Sequence, residues 1–187
     1  MATPSDEHDL VDRARGGDVD AYAALLAAHQ GAARRLAAAL GGSGDADEVT
    51  QDAFIKAWYG LAGFREGGAF RPWLLRIVAN EARNRRRAAG RRAGYELRFA
   101  TDRAAAQPGT APSPEAAVLL TESRRSVVDA LAALPEGLRD VVACRHLLDL
   151  DERETAAVLS LPRGTVKSRT SRGLRRMART LEGEGRG

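Results

Sequence analysis

The sequence predicts an all-α fold: two small helical domains joined by a flexible linker, the C-terminal one containing a helix-turn-helix. Three observations carry this reading. Apolar residues recur at three- and four-residue spacing along most of the chain. No stretch alternates apolar and polar residues over the length a strand needs. A segment of proline, glycine and small residues, "GYELRFATDRAAAQPGTAPSP", parts two helical halves. The resulting boundaries are 1–93, 94–113 and 114–187.

In the first half, "DVDAYAALLAAHQGAARRLAAAL" is rich in alanine and leucine, with Tyr22, Leu25, Leu26 and His29 at helical spacing. "GGSGDADE" breaks that helix, and Asp45 with Glu48 three residues on makes a capping-box signature for the next. In "DEVTQDAFIKAWYGL", Phe54, Trp58 and Leu61 share one apolar face, while Asp47, Glu48, Gln51 and Asp52 fall largely elsewhere. "FREGGAF" reads as a glycine-containing loop. In "RPWLLRIVANEARNRRR", Trp73, Leu74, Ile77 and Val78 form the inward stripe before the chain turns basic.

The second half opens at Ser113-Pro114-Glu115, an N-cap, a proline at the first helical position and an early acid. Leu120, Val127, Leu131 and Leu134 follow at heptad-like spacing. After Pro135, Leu138, Val141, Val142 and Leu148 mark a second helix, and "DERETAAVLS" a short third one capped by Asp151. In "ETAAVLSLPRGTVKSR", a short helix, a tight turn and a helix beginning near Gly164 make a helix-turn-helix. The second helix of that motif enters the major groove with its front end at base edges. Its inward stripe is expected to be Val166, Leu174, Met177 and Leu181. Arg169, Arg172, Arg176 and Arg179 recur on another face, suited to phosphates, while Arg163, Thr165, Lys167 and Ser168 sit at the front. Such a helix by itself says DNA binding and little more.

The formal charge of +4 is unevenly spread. Residues 1–60 hold ten acids against five bases, which leaves everything beyond Gly60 positive by nine. A basic downstream part points to a polyanion, and an acidic front to a different partner. Arginine predominates, with Lys56 and Lys167 the only lysines. That suits bidentate phosphate and guanine contacts, although a GC-rich genome produces the same bias. The single Cys144 rules out an internal disulfide framework and is expected to be buried. The acidic start "MATPSDEHDL" lacks the pattern of a signal peptide, and no run approaches the roughly 18 apolar residues of a membrane span. A cytosolic location without direct membrane insertion is therefore expected. His8, His29 and His146 are scattered, and one cysteine near one histidine falls short of a structural zinc site. With no phosphate-cradling loop and no nucleophile beside a base, no metal, cofactor or catalytic group is expected, and the chain does not read as an enzyme.

Three stretches together resemble a known family. "DADEVTQDAFIKAW", "FREGGAFRPWLLRIVANEARNRRR" and "ALAALPEGLRDVVACRHLLDLDERETAAVLSLPRGTVKSR" look like region 2, the promoter-melting and −10-reading segment, and region 4 of the extracytoplasmic-function (ECF) subfamily of bacterial RNA polymerase sigma factors. They stand in the family's order and spacing, over roughly 8–92 and 115–181. Four departures stand out: Ser160 where a turn glycine is common, Pro162 where a capping serine is common, Thr155 for a branched apolar residue, and Asp52 for a glutamate. None removes a basic contact.

The resemblance implies a division of roles. Asp47, Glu48, Gln51 and Asp52 would dock on core RNA polymerase. Phe64, Arg65, Phe70, Trp73, Asn80 and Asn84 would surround a base flipped from the melted −10 strand, with Phe70 and Trp73 fitting core packing as well as stacking. Arg83, Arg85, Arg86 and Arg87 would clamp backbone phosphates. The C-terminal helix-turn-helix would hold duplex −35 promoter DNA. An anti-sigma factor is a common partner in the family, and no residue here identifies one. The alternative reading, a stand-alone helix-turn-helix regulator, explains residues 113–181 equally well but gives no reason for "RIVANEARNRRR".

Overall fold

The computed structural model describes residues 4–41, 43–65, 67–99 and 125–184, and every regular element among them is helical. The expected helix start at Ser113-Pro114-Glu115, Leu120 and most of the expected linker lie outside the described residues. Helix α1 (Pro4–Arg15) carries few apolar residues for periodicity to mark, yet Val11 and Ala14 are buried beside Tyr22 and Leu25. Helix α2 (Val19–Gly41) starts at Asp18, whose Oδ1 accepts from the Ala21 amide at 3.0 Å while its Oδ2 holds Arg13 at 2.7 Å. Helix α3 (Ala46–Gly60) follows a 3-10 turn at Ser43–Asp45. The capping box expected at Asp45 and Glu48 does not form. Asp45 makes no side-chain cap bond, and Glu48 turns instead to the Arg85 guanidinium. A charge-assisted bond outcompetes one to a neutral amide.

Helix α4 (Phe70–Phe99) runs six residues past the expected end of the first domain. Alanine, arginine and leucine propagate a helix well, and the first proline after it is Pro108. In the second half, residues 125–132 are helical (α5). Helix α6 (Glu136–Val142) widens into a π-helical turn, Ala143–Leu147, so Leu148 follows the helix rather than continuing it. Helix α7 (Glu152–Leu159) is capped by Asp151 as expected, and the cap is a full capping box with Glu154. Asp151 Oδ1 accepts from the Glu154 amide at 2.8 Å, and Glu154 Oε2 accepts from the Asp151 amide at 2.9 Å.

The turn into helix α8 (Arg163–Glu184) contains the departures. Ser160 takes the left-handed C-cap conformation, φ 54° and ψ 47°, which glycine adopts without strain. The Pro162 carbonyl accepts from the Thr165 and Val166 amides, so the helix starts without a capping side chain. Thr155 is wholly buried and its hydroxyl has no hydrogen-bond partner. The inward stripe of α8 differs from expectation at one place: Leu174 is exposed, and Gly173 faces α6 instead. At 100° per residue, position 173 falls within about 20° of Val166, whereas position 174 lies about 80° away.

Three apolar clusters hold the chain. The first half is closed by an aromatic cluster of Tyr22, Phe64 and Phe70 with Leu25, Leu61 and Leu74. A small cluster of Ala130, Leu134, Val142 and Met177 joins α6 and α8. The largest spans both halves: Leu36, Leu40, Val78 and Ala82 pack with Val141, Cys144, Leu148, Val158 and Leu159. Cys144 is fully buried there, and burial pushes its thiol up to about 12. No described helix is long and apolar enough to cross a membrane.

Candidate functional site

The loop ahead of α4 is shaped by two glycines. The Gly68 amide donates to the Arg65 carbonyl at 3.0 Å, with Gly67 at φ 70°. A Cβ at Gly68 would lie 2.9 Å from that carbonyl and 3.3 Å from the Phe64 ring. The turn thereby seats Phe64 edge-on to Trp73, centroids 5.1 Å apart, and to Phe70 at 6.0 Å. Phe64 and Phe70 are buried in the core, whereas Trp73 is half-buried and lines a cleft of about 670 Å³. Arg65 and Arg76 border that cleft from the first half, and Asp151 and Glu154 of α7 from the second. Arg76 was not singled out by motif; its place one turn after Trp73 is the signal that would have found it.

Successive residues of α4 distribute over three sides. Asn80, Asn84 and Arg87 are exposed along its crest. On one flank Arg85 sits among the acids of α3, bonded to Glu48 and lying 3.6 Å from Asp45 and 3.5 Å from Asp52. On the opposite flank Arg83 and Arg86 face the second half. Arg83 Nε donates to Asp140 Oδ2 at 2.8 Å, and Arg86 reaches both Glu136 and the Leu40 carbonyl. The four arginines therefore do not form one patch. Asp140 and Glu136, which neither motif nor spacing indicated, are what draw two of them aside.

The acidic residues of α3 remain at the surface. Asp47 pairs with Arg34, and this pairing holds its carboxyl below the usual range; Glu48 is held low in the same way by Arg85. Both are open to solvent, where such pairs add little stability. Gln51 is exposed and lies one and two turns from Ile55 and Tyr59, which are 50% and 80% exposed. Large exposed apolar groups beside acids make a mixed face suited to a protein partner.

On α8, Arg163, Lys167, Ser168, Arg172, Arg176 and Arg179 are exposed, and Thr165 is half-buried at the front. Arg169 departs from this row. Its guanidinium leans on Gly137 and shares a cleft with Arg83, Arg87 and Asp140. Spacing alone could not separate Arg169 from Arg172, since only the packing of α6 distinguishes their sides.

Comparison with known proteins matches this arrangement. The model of Sigma-70 region 2 matches residues 25–92, and that of Sigma-70, region 4 matches residues 124–177. The ECF RNA polymerase sigma-E factor of Escherichia coli (strain K12) is 37% identical over 167 residues, covering 87% of each chain. That of Haemophilus influenzae is 34% identical over 176 residues, covering 92% of this chain and 93% of its own. Among solved structures, CnrH in complex with the cytosolic domain of CnrY aligns with a TM-score of 0.71 and 27% identity, over 95% of this chain and 98% of that one. The sigma factor RpoE of Bartonella quintana, solved with the anti-sigma factor NepR, shares the fold at a TM-score of 0.68 and 24% identity, over 86% and 96% of the two chains. With an aromatic cleft leading into a basic helix in one half, a helix-turn-helix in the other and these relatives across most of its length, the chain belongs to the ECF subfamily of RNA polymerase sigma factors.

Proposed function

We propose a division of labour among three faces for this sigma factor, which directs RNA polymerase to specific promoters. Core polymerase docks on the exposed face of α3, through Asp47, Glu48, Gln51 and Asp52, with Ile55 and Tyr59 supplying apolar contact. The Trp73 cleft and the crest of α4 take the melted −10 strand. Arg65 and Arg76 attract its backbone, Asn80 and Asn84 pair with base edges, and Arg87 holds a phosphate. The front of α8 reads the duplex −35 element, and Arg172, Arg176 and Arg179 hold phosphates. The domain division is residues 1–93 and 114–187, with 94–113 as the connection. The chain has no chemistry of its own and works in the cytoplasm beside the polymerase that supplies it. An anti-sigma factor is its inhibitory partner.

The observation that carries this reading is the pairing, in one chain, of the region 2 and region 4 matches. A stand-alone helix-turn-helix regulator is not favoured, because it leaves residues 25–92 without a role. The test is transcription by purified core polymerase on promoter-bearing DNA, with and without this chain. RNA with a defined start should appear only when the chain is present. Reversing charge in Asp47→Arg/Glu48→Arg should cut retention of core polymerase about tenfold or more in a pull-down. Unaltered initiation, or unaltered retention, would remove the corresponding part of the reading.

A further inference from the structure

The seam between the two halves gathers more positive charge than its carboxylates balance. A cleft of about 360 Å³, bounded by α4, α6 and α8, is lined by Arg83 and Arg87, one turn apart on α4, and by Arg169 of α8. Glu136 and Asp140 also line it, but each is already engaged. Asp140 pairs with Arg83, their side chains only 3% and 15% exposed, and Glu136 pairs with Arg86. Arg87 and Arg169 have no carboxylate partner among the described residues. Arg139 lies alongside, within Coulombic range of Arg86 and Glu136.

Two features distinguish this cleft from a chance meeting of surface charges. The Arg169 guanidinium is seated against Gly137, where a Cβ would come within 3.1 Å of Nη1. Beside the cleft, Arg86 Nη2 and Arg139 Nε are buried without a hydrogen bond. Buried donors without acceptors are costly, and an anion is the group that answers them. A phosphoryl group suits forked donors converging from more than one helix, since its oxygens accept from several guanidiniums at once. The apolar part of the lining is Leu159 and Leu161, with no aromatic ring among the described residues there, so the cleft grips a charged chain rather than a base. Its volume is at the small end for ligand pockets, which suits a short chain.

We propose that the cleft lined by Arg83, Arg87 and Arg169 is a binding site for a short phosphoryl chain, either inorganic polyphosphate or the polyphosphate tail of a nucleotide. Its donors come from both halves of the protein. Arg87 and Arg169 supply the charge that no carboxylate offsets, and Arg83, held by Asp140, adds a third guanidinium. The site goes beyond the promoter and polymerase contacts assigned above and shares only Arg87 with them.

The test is isothermal titration of the full chain in magnesium-free buffer at fixed ionic strength. Tripolyphosphate and ATP are the probes, and sulfate is the simple-anion control. At least one phosphate probe should bind saturably, one per chain, with a dissociation constant below about 1 mM, and sulfate should not. Tighter binding of ATP identifies a nucleotide as the source, and tighter binding of tripolyphosphate an inorganic chain. Arg169→Gln and Arg87→Gln, one from each half, should each weaken binding about tenfold, the loss expected for one charge-assisted contact. Arg179→Gln, the same loss of charge farther along α8, should leave it within about twofold. Gly137→Ala keeps the charge but crowds the Arg169 guanidinium, and should weaken binding by a smaller factor. Failure of both phosphate probes to saturate overturns the proposal. So does an equal loss in Arg179→Gln, which would mean diffuse attraction to a basic chain, or sulfate binding as tightly. A short single-stranded DNA that depends on Arg169 where the phosphate probes do not would give the cleft to a nucleic-acid backbone instead.

Discussion

Ser160 holds a left-handed backbone at φ 54° between the two helices of the helix-turn-helix. A side chain there costs about 1 kcal/mol relative to glycine, so Ser160→Gly should raise stability by about that amount, read as a higher urea midpoint at unchanged slope. His29 is a second position where a local environment sets a measurable property. Its Nε2 lies 3.2 Å from Glu7 Oε2, and its ring packs 5.5 Å from Phe70. Burial holds the imidazole below its ordinary value of 6.5, with Glu7 opposing that shift and Arg71 adding to it. The unfolded chain thus binds more protons just below that value. Stability should fall as pH drops through it and level off below the depressed folded value. Urea midpoints taken from about pH 7.5 to about pH 5 should show this loss, and His29→Asn should flatten it.

Among the elements, α8 shows how one small residue sets a helix against its neighbour. A Cβ at Gly173 would come within 2.5 Å of Val142 Cγ2 but 3.6 Å from the Leu138 carbonyl, so any side chain there must displace the Val142 side chain. Gly173→Val should cost about 1–3 kcal/mol by overpacking, more than the roughly 1 kcal/mol that losing a helical glycine returns. Adding Val142→Ala should recover part of the loss, a coupling that a double-mutant cycle in urea denaturation would measure. This close approach also explains why Leu174 points outward although the apolar pattern assigned it inward: periodicity counts apolar residues and is blind to a glycine that makes contact through its backbone. The same limit applied to α1, where Val11 and Ala14 are buried, with Leu10 packed beside them, in a helix otherwise too polar to show an apolar stripe. By contrast, the cap of α7 was legible because Asp151 and Glu154 need only each other and the intervening backbone.

For the whole molecule, the shared cluster of Leu36, Leu40, Val141 and Leu159 predicts cooperativity across the two halves. Both tryptophans, Trp58 and Trp73, lie in the first half. Fluorescence therefore reports that half, while far-ultraviolet circular dichroism reports all helices. The two urea transitions should coincide in the wild-type chain and separate in Glu136→Gln/Asp140→Asn. Non-coincidence in wild type would mean that the halves do not unfold as one unit.

Sequence alone determined what depends on near neighbours: helix content, the order of the elements, the helix-turn-helix, the acidic and basic faces, and the resemblance that the relatives confirm. These follow from residues a few positions apart, where helical geometry converts spacing into a face. Tertiary structure decided which way each charge was used. Arg83, Arg85 and Arg86 are equivalent as letters, yet one flank of α4 meets the acids of α3 and the other meets Asp140, more than fifty residues further along. Partners that far apart in sequence are brought together only by the burial of apolar surface between them, and no local pattern records that.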